Sequence, residues 1–100
     1  MKIQLETIQY TKSQSSFHFF KREVAIFNSY WHYHPELELT FIERGNGIRY
    51  IGDNIGSFES GDLVLIGENL PHDYVSSPSK NQESSIAYVF QFPASIIDSI

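Results

Sequence analysis

The stretch "NSYWHYHPELELTFIERGNG", residues 28–47, decides how this chain folds. Leu37, Leu39 and Phe41 fall on odd positions, Glu38, Thr40 and Ile42 on even ones. Successive side chains of a β-strand point to opposite faces, so the run reads as a strand with two faces of different kind. The even face is the unusual one. Provided that Pro35 bends the chain without adding a bulge, that face continues back through His34, His32 and Tyr30. It therefore carries two imidazoles and a carboxylate among semi-apolar neighbours, as the lining of a polar cavity would. The odd face is apolar, which implies that both faces are covered. Gly45-Asn46-Gly47 then ends the run with hairpin turn chemistry.

Working outward, the rest of the chain repeats this plan. "FHFF" and "EVAIF" precede the stretch, and "IRYI", "SFES", "LVLI", "HDYVS" and "IAYVFQF" follow it. Turn signals separate them, among them "GDNIG" and Gly61-Asp62. Short strands at close spacing with Gly and Asn turns are the mark of an all-β sandwich or barrel. No helical spacing occurs before residue 93, which excludes a parallel sheet with crossover helices. "PASIIDSI" differs: Pro93 can open a helix, and Ile96, Ile97 and Ile100 share one helical face. Two turns are too few to stand alone. The expected division is a β domain over residues 1–92 and, over 93–100, the start of a C-terminal helix cut from a longer chain.

Composition narrows the function. One hundred residues with 41% hydrophobic and 15% aromatic content make one folded domain with a single core. A net charge of -5 and seven basic residues scattered from Lys2 to Lys80 do not make a phosphate-binding surface. The absence of cysteine excludes disulfides, thiolate zinc sites and thiol nucleophiles. With no signal peptide and no apolar run near the ~20 residues of a membrane span, a cytoplasmic protein with no membrane partner is the expectation.

His32, His34 and Glu38 have a counterpart in "GDLVLIGENLPH", where a turn, a strand and a loop place His72 at the head of the next strand. The spacing His-x-His-x3-Glu-x6-Gly, met by His32, His34, Glu38 and Gly45, resembles the first cupin motif. Gly61 and His72 match the second, Gly-x5-Pro-x-Gly-x2-His-x3-Asn, although Gly67 stands for the usual Pro, Asn69 for Gly and Ser76 for Asn. The resemblance implies a double-stranded β-helix, or jelly-roll barrel. Within cupins, "YWHYHPELELTFIERGNGIRYIGDNIGSFESGDLVLIGENLPHDY" is similar to the N-terminal sensor domain of AraC-type transcription regulators. That likeness implies a small polar effector such as a sugar, a homodimer of the full-length protein, and DNA contact through a C-terminal helix-turn-helix domain outside this sequence.

Three imidazoles and a carboxylate suit one divalent metal, Zn, Ni, Fe or Mn. The alternative is a vestigial site in which His32, His34, Glu38 and His72 bond one another, water and an organic effector, with Tyr30 capping the cavity mouth. Arg44 and Arg49 carry the charge that an anionic effector would need. However, the glycine turn breaks the parity count, and a lone arginine is ordinarily a solvated surface group. His18 lies apart from both motifs and reads as structural or exposed. Asp62 reads as a turn residue bonding local backbone. Two functions stand against each other: an effector sensor with no catalytic residues, and a small metal-dependent cupin enzyme, a dioxygenase or isomerase. A purely structural β-domain would leave the clustered histidines without a purpose.

Overall fold

A computed structural model describes residues 4–5, 17–77 and 83–98. The described strands are β1 (Gln4–Leu5), β2 (His18–Val24), β3 (His32–Tyr33), β4 (Leu37–Arg44), β5 (Gly47–Ile51), β6 (Asn54–Phe58), β7 (Leu63–Ile66), β8 (His72–Ser76) and β9 (Ser85–Phe92), followed by one helical turn, α1 (Ser95–Asp98). They form a five-stranded sheet, in the order β1-β3-β8-β5-β6, and a four-stranded sheet, β2-β9-β4-β7. All pairings are antiparallel except that of β1 with β3.

The alternation in β4 sorts its residues as the sequence requires: Glu38, Thr40 and Ile42 are buried, whereas Phe41 is exposed. The inner faces of both sheets close on Phe27, Ile42, Phe58, Ala87 and Val89, with Phe20, Val24 and Tyr74 packed against them. Burying one such aromatic or branched side chain stabilises the fold by about 1.5–3 kcal/mol.

Three expectations need correction. "FHFF" and "EVAIF" are not two strands: His18–Val24 runs unbroken along β9, because Phe20, Arg22 and Val24 continue one inward alternation through the charged residues. The "GDNIG" turn is shorter than it reads, since Ile51 already pairs with Asn54 and only Gly52 and Asp53 lie between. Nor is the odd face of β4 covered among the described residues. Phe19, Phe90, Leu39 and Leu65 are direct cross-strand neighbours on the outer face of the four-stranded sheet. Phe19 and Leu65 are 58% and 60% exposed, so an apolar belt faces outward. The helical expectation is met as a single turn at Ser95–Asp98, while Ile100 lies outside the described residues.

Two departures from the cupin spacing have local explanations. Asn69 holds a φ of 55°, a left-handed conformation that Asn tolerates better than most residues, in place of the glycine the motif expects. Its N–H donates to the His34 carbonyl at 2.8 Å, tying the loop before His72 to the strand segment bearing the other ligands. Ser76 takes the place of Asn and uses its hydroxyl to accept from the Phe27 N–H at 2.8 Å. Asp62 behaves as a turn residue, its carboxylate accepting from the Glu59 N–H at 3.0 Å.

Candidate metal and ligand site

β3 and β8 meet at a single pair, His32 opposite His72. β4 begins three residues after His34, at Leu37, and turns Glu38 inward, opposite Gln91 of β9 and Ile66 of β7. One ligand atom from each of His32, His34, Glu38 and His72 lies within 4.8 Å of the others. The two sheets thus bring the four residues into one cluster, with His34, Glu38 and His72 buried and His32 half-buried.

Each ring is aimed by its own backbone. His32 Nδ1 lies 2.6 Å from the Tyr30 carbonyl, His34 Nδ1 3.0 Å from that of Glu36, and His72 Nδ1 2.8 Å from that of Leu70. A carbonyl only accepts, so Nδ1 carries the proton in all three rings and Nε2 keeps its lone pair. Those lone pairs converge on the carboxylate: His34 Nε2 is 3.0 Å and His72 Nε2 3.5 Å from Glu38 Oε1. His72 Nε2 is buried and has no hydrogen-bond partner. Lone pairs facing a carboxylate oxygen in a buried site call for a cation between them. A three-nitrogen, one-oxygen donor set with fixed tautomers fits a divalent metal such as Zn, Ni, Fe or Mn.

Glu38 is buttressed on both oxygens. Gln91 Nε2 donates to Oε1 at 3.0 Å and Thr40 Oγ1 to Oε2 at 2.7 Å. Burial pushes the Glu38 carboxyl upward, but the neighbouring His34 and His72 imidazoles and the Thr40 hydrogen bond outweigh it and hold the group well below its ordinary value of 4.5. A depressed folded-state value means that ionised Glu38 contributes stability at neutral pH. That contribution is complete above the unfolded value and is lost as pH falls through the folded one. Thr40→Val keeps shape and removes one donor. It is expected to cost about 1–3 kcal/mol in urea denaturation and to weaken metal binding by roughly 10–100-fold; unchanged affinity would mean that Oε2 needs no support.

A cavity of about 300 Å³ opens on this cluster. Tyr30, His32, Glu38 and His72 line it, and the Tyr30 ring stacks on His32 with centroids 4.4 Å apart. The segment carrying Tyr30 is anchored by Asp73, whose carboxylate accepts from Ser29 Oγ and the Tyr30 N–H, both at 2.8 Å. Tyr74, also in the lining, has a buried hydroxyl without a partner. Burial, with the charge of Glu38, raises its pKa, so it remains a neutral donor. A larger depression of about 690 Å³ lies at the opposite end of the barrel, past Arg44 and Ser76. Its serine-rich lining gathers no comparable set of ligands.

The structure separates the remaining candidates. Arg44 is tied down outside the cavity by the Ser84 carbonyl and hydroxyl, each at 2.7 Å, and by Glu83 at 3.3 Å. Arg49 faces Asp62 at 3.8 Å. Neither lines the cavity of the quartet, which Arg22 does. His18 is not outside the network: its Nδ1 lies 3.3 Å from Gln91 Oε1, one step from Glu38. Gln91 itself escapes the motif reading, and its signal is a lone amide at an inward position of an otherwise apolar strand.

The sequence as a whole points the same way. The family model of the AraC-like ligand binding domain matches residues 23–100. The chain belongs to this family. Solved structures place the AraC-like domain among cupin barrels. It superposes on a cupin 2 conserved barrel domain protein from Salinispora arenicola with a TM-score of 0.67 at 20% identity, over 92% of this chain and 76% of that one. The plu4264 protein of Photorhabdus luminescens gives 0.65 at 25% identity over 79% of this chain, which spans 64% of that protein. Iron(II) HppE in complex with substrate gives 0.67 at 18% identity, over 85% of this chain and 51% of that one. At these identities the barrel is what is shared. No curated protein matches this chain at a significant level. Among the described residues, no helix is long and apolar enough to cross a membrane.

Proposed function

We propose that this chain is the effector-sensing part of a DNA-binding transcription regulator, and that its cavity holds a small polar metabolite above a divalent metal. The observation that carries the reading is a cavity of about 300 Å³ that opens on His32, Glu38 and His72 of the quartet, with His34 beside them, in a ligand-binding domain of the AraC-like family. His32, His34, Glu38 and His72 hold the metal, and with Tyr30 at the mouth they meet the effector directly or through it. A sugar is the class suggested by family likeness. Residues 93–100 lead into dimerisation and helix-turn-helix regions, which contact DNA in a cytoplasmic homodimer. The α1 turn directly after β9 and the outward apolar belt support that arrangement. Effector binding shifts the population between ways of packing the barrel on its partners, by no more than its differential affinity for those states.

The test has two parts. The coding sequence should continue past Ile100 into a basic helix-turn-helix region; a stop codon there would remove the regulator and leave a ligand-binding barrel. A ligand at about a hundred times its Kd adds about 2.7 kcal/mol, which for a chain of this size raises Tm by roughly 10–20 °C. A metabolite panel should contain at least one compound with that effect. A metal-dependent enzyme is the second reading, favoured by the donor set itself. Steady turnover of a panel compound, lost in His34→Ala, would establish it over the sensor.

A further inference from the structure

The cavity has a second polar end. β2 contributes Phe20 and Arg22 to its lining from the inner face of the four-stranded sheet. The Arg22 guanidinium stands 5.2 Å from the centre of the Phe27 ring, a cation–π contact. Among the described residues no carboxylate meets it, in contrast to Arg44 and Arg49. Asp73, the other acid of the lining, already has its two oxygens taken by Ser29 and Tyr30.

The strand register places this cation relative to the quartet. Glu38 pairs with Gln91, and Arg22 pairs with Ala87, four residues back along β9. At about 3.4 Å per residue the two rows lie roughly 13–14 Å apart. The lining between them is Phe20, Thr40, Ile42 and Val89, mostly apolar. The Tyr74 hydroxyl, also in the lining, adds a donor without a partner. A sugar presents hydroxyls along its whole body and would find few partners in this middle. A molecule with an anionic head and an apolar body meets a complementary surface throughout, since the guanidinium fork matches a carboxylate in two parallel hydrogen bonds.

We propose that the effector is a small carboxylic acid, its carboxylate held by Arg22, its apolar body against Phe20, Ile42 and Val89, and its far end over the quartet. This rests on the cavity being the effector site, and it replaces a sugar by an acid as the ligand class. The volume, at the small end of organic ligand sites, sets the size of the acid.

Isothermal titration of the 100-residue chain, zinc-loaded, tests it with 3-phenylpropionate and octanoate, each beside its primary amide, and with glucose as a neutral polyol. An acid should bind at least tenfold more tightly than its amide. Arg22→Gln should erase that preference while Arg22→Lys retains part of it, and circular dichroism should show all three proteins folded. Acid and amide binding alike, or glucose binding alone, overturns the carboxylate class and leaves the sensor standing. An acid preference that survives in Arg22→Gln removes Arg22 from the site. No binding by any of the five compounds likewise overturns the carboxylate class, and the sensor reading then stands or falls on the metabolite panel.

Discussion

His34→Ala is expected to abolish metal binding. The untagged chain, purified without chelator, should carry close to one equivalent of divalent metal by elemental analysis, and the variant none. His34 is 1% exposed and supplies one of four donors, with its Nε2 3.0 Å from Glu38 Oε1. Losing a donor outright should exceed the roughly 10–100-fold cost of disturbing a group that merely orients one. The variant also leaves the Glu38 carboxylate buried with one partner fewer, a change of the kind that costs about 3–5 kcal/mol. Metal loss could then reflect a damaged fold, and His32→Ala separates the two. His32 is half-buried and pairs with β8 at one position, so its removal should spare the fold yet lower metal content as far. Should His32→Ala keep its metal, the site has three donors and not four. If the unaltered chain carries none, the quartet is a hydrogen-bonding floor for an organic effector.

What the sequence displays of this site follows from range. Glu38, Thr40 and Ile42 lie in one strand, whose two-residue period puts them on one face. His32 and His34 precede the bend at Pro35, with His32 on the opposite sheet, and their parity matches only because the two sheets face each other. His72 is 34 positions from Glu38 and becomes legible only through the cupin spacing, which encodes a register. Gln91 and Arg22 have no such motif. Gln91 meets Glu38 across 53 positions, and nothing local in "IAYVFQF" states which strand will lie beside it. Nothing local marks Arg22 either, and its inward turn follows only once β2 is known to run unbroken along β9. The same limit explains the outer face of β4. Leu39 and Phe41 look like core residues, and only the sheet order shows their side open. A two-residue parallel pairing such as β1 with β3 carries no periodic signal at all.

Register is also where the fold and the site can be broken together, at Gly47. A Cβ on Gly47 would land on the Val75 carbonyl oxygen and stand 2.9 Å from both Phe58 Cε1 and Ser76 Cα. Gly47 opens β5, a strand enclosed by β6 and β8, and two of the three obstacles are backbone, so neither neighbour can recoil without losing pairing. Gly→Ala at a tolerant position gains about 0.4–1 kcal/mol by restricting the unfolded chain. Here the steric term should win, with a loss above about 3 kcal/mol, a large part of the 5–15 kcal/mol typical of a domain. Gly67→Ala is the control, since nothing lies within 4 Å of its Cβ position and its φ is not in the left-handed range. Its urea midpoint should stay level or rise. The functional consequence lies at the other end of the same ladder, where Ile51 pairs with His72. A one-residue slip of β8 to relieve Gly47→Ala would turn His72 to the outer face, because alternate residues face opposite ways. Gly47→Ala chains that remain folded should therefore bind metal as poorly as a His72→Ala variant. A Gly47→Ala chain with an unchanged urea midpoint and full metal content would show that β5 and β8 tolerate a side chain at their seam, and that the pairing of Ile51 with His72 does not depend on it.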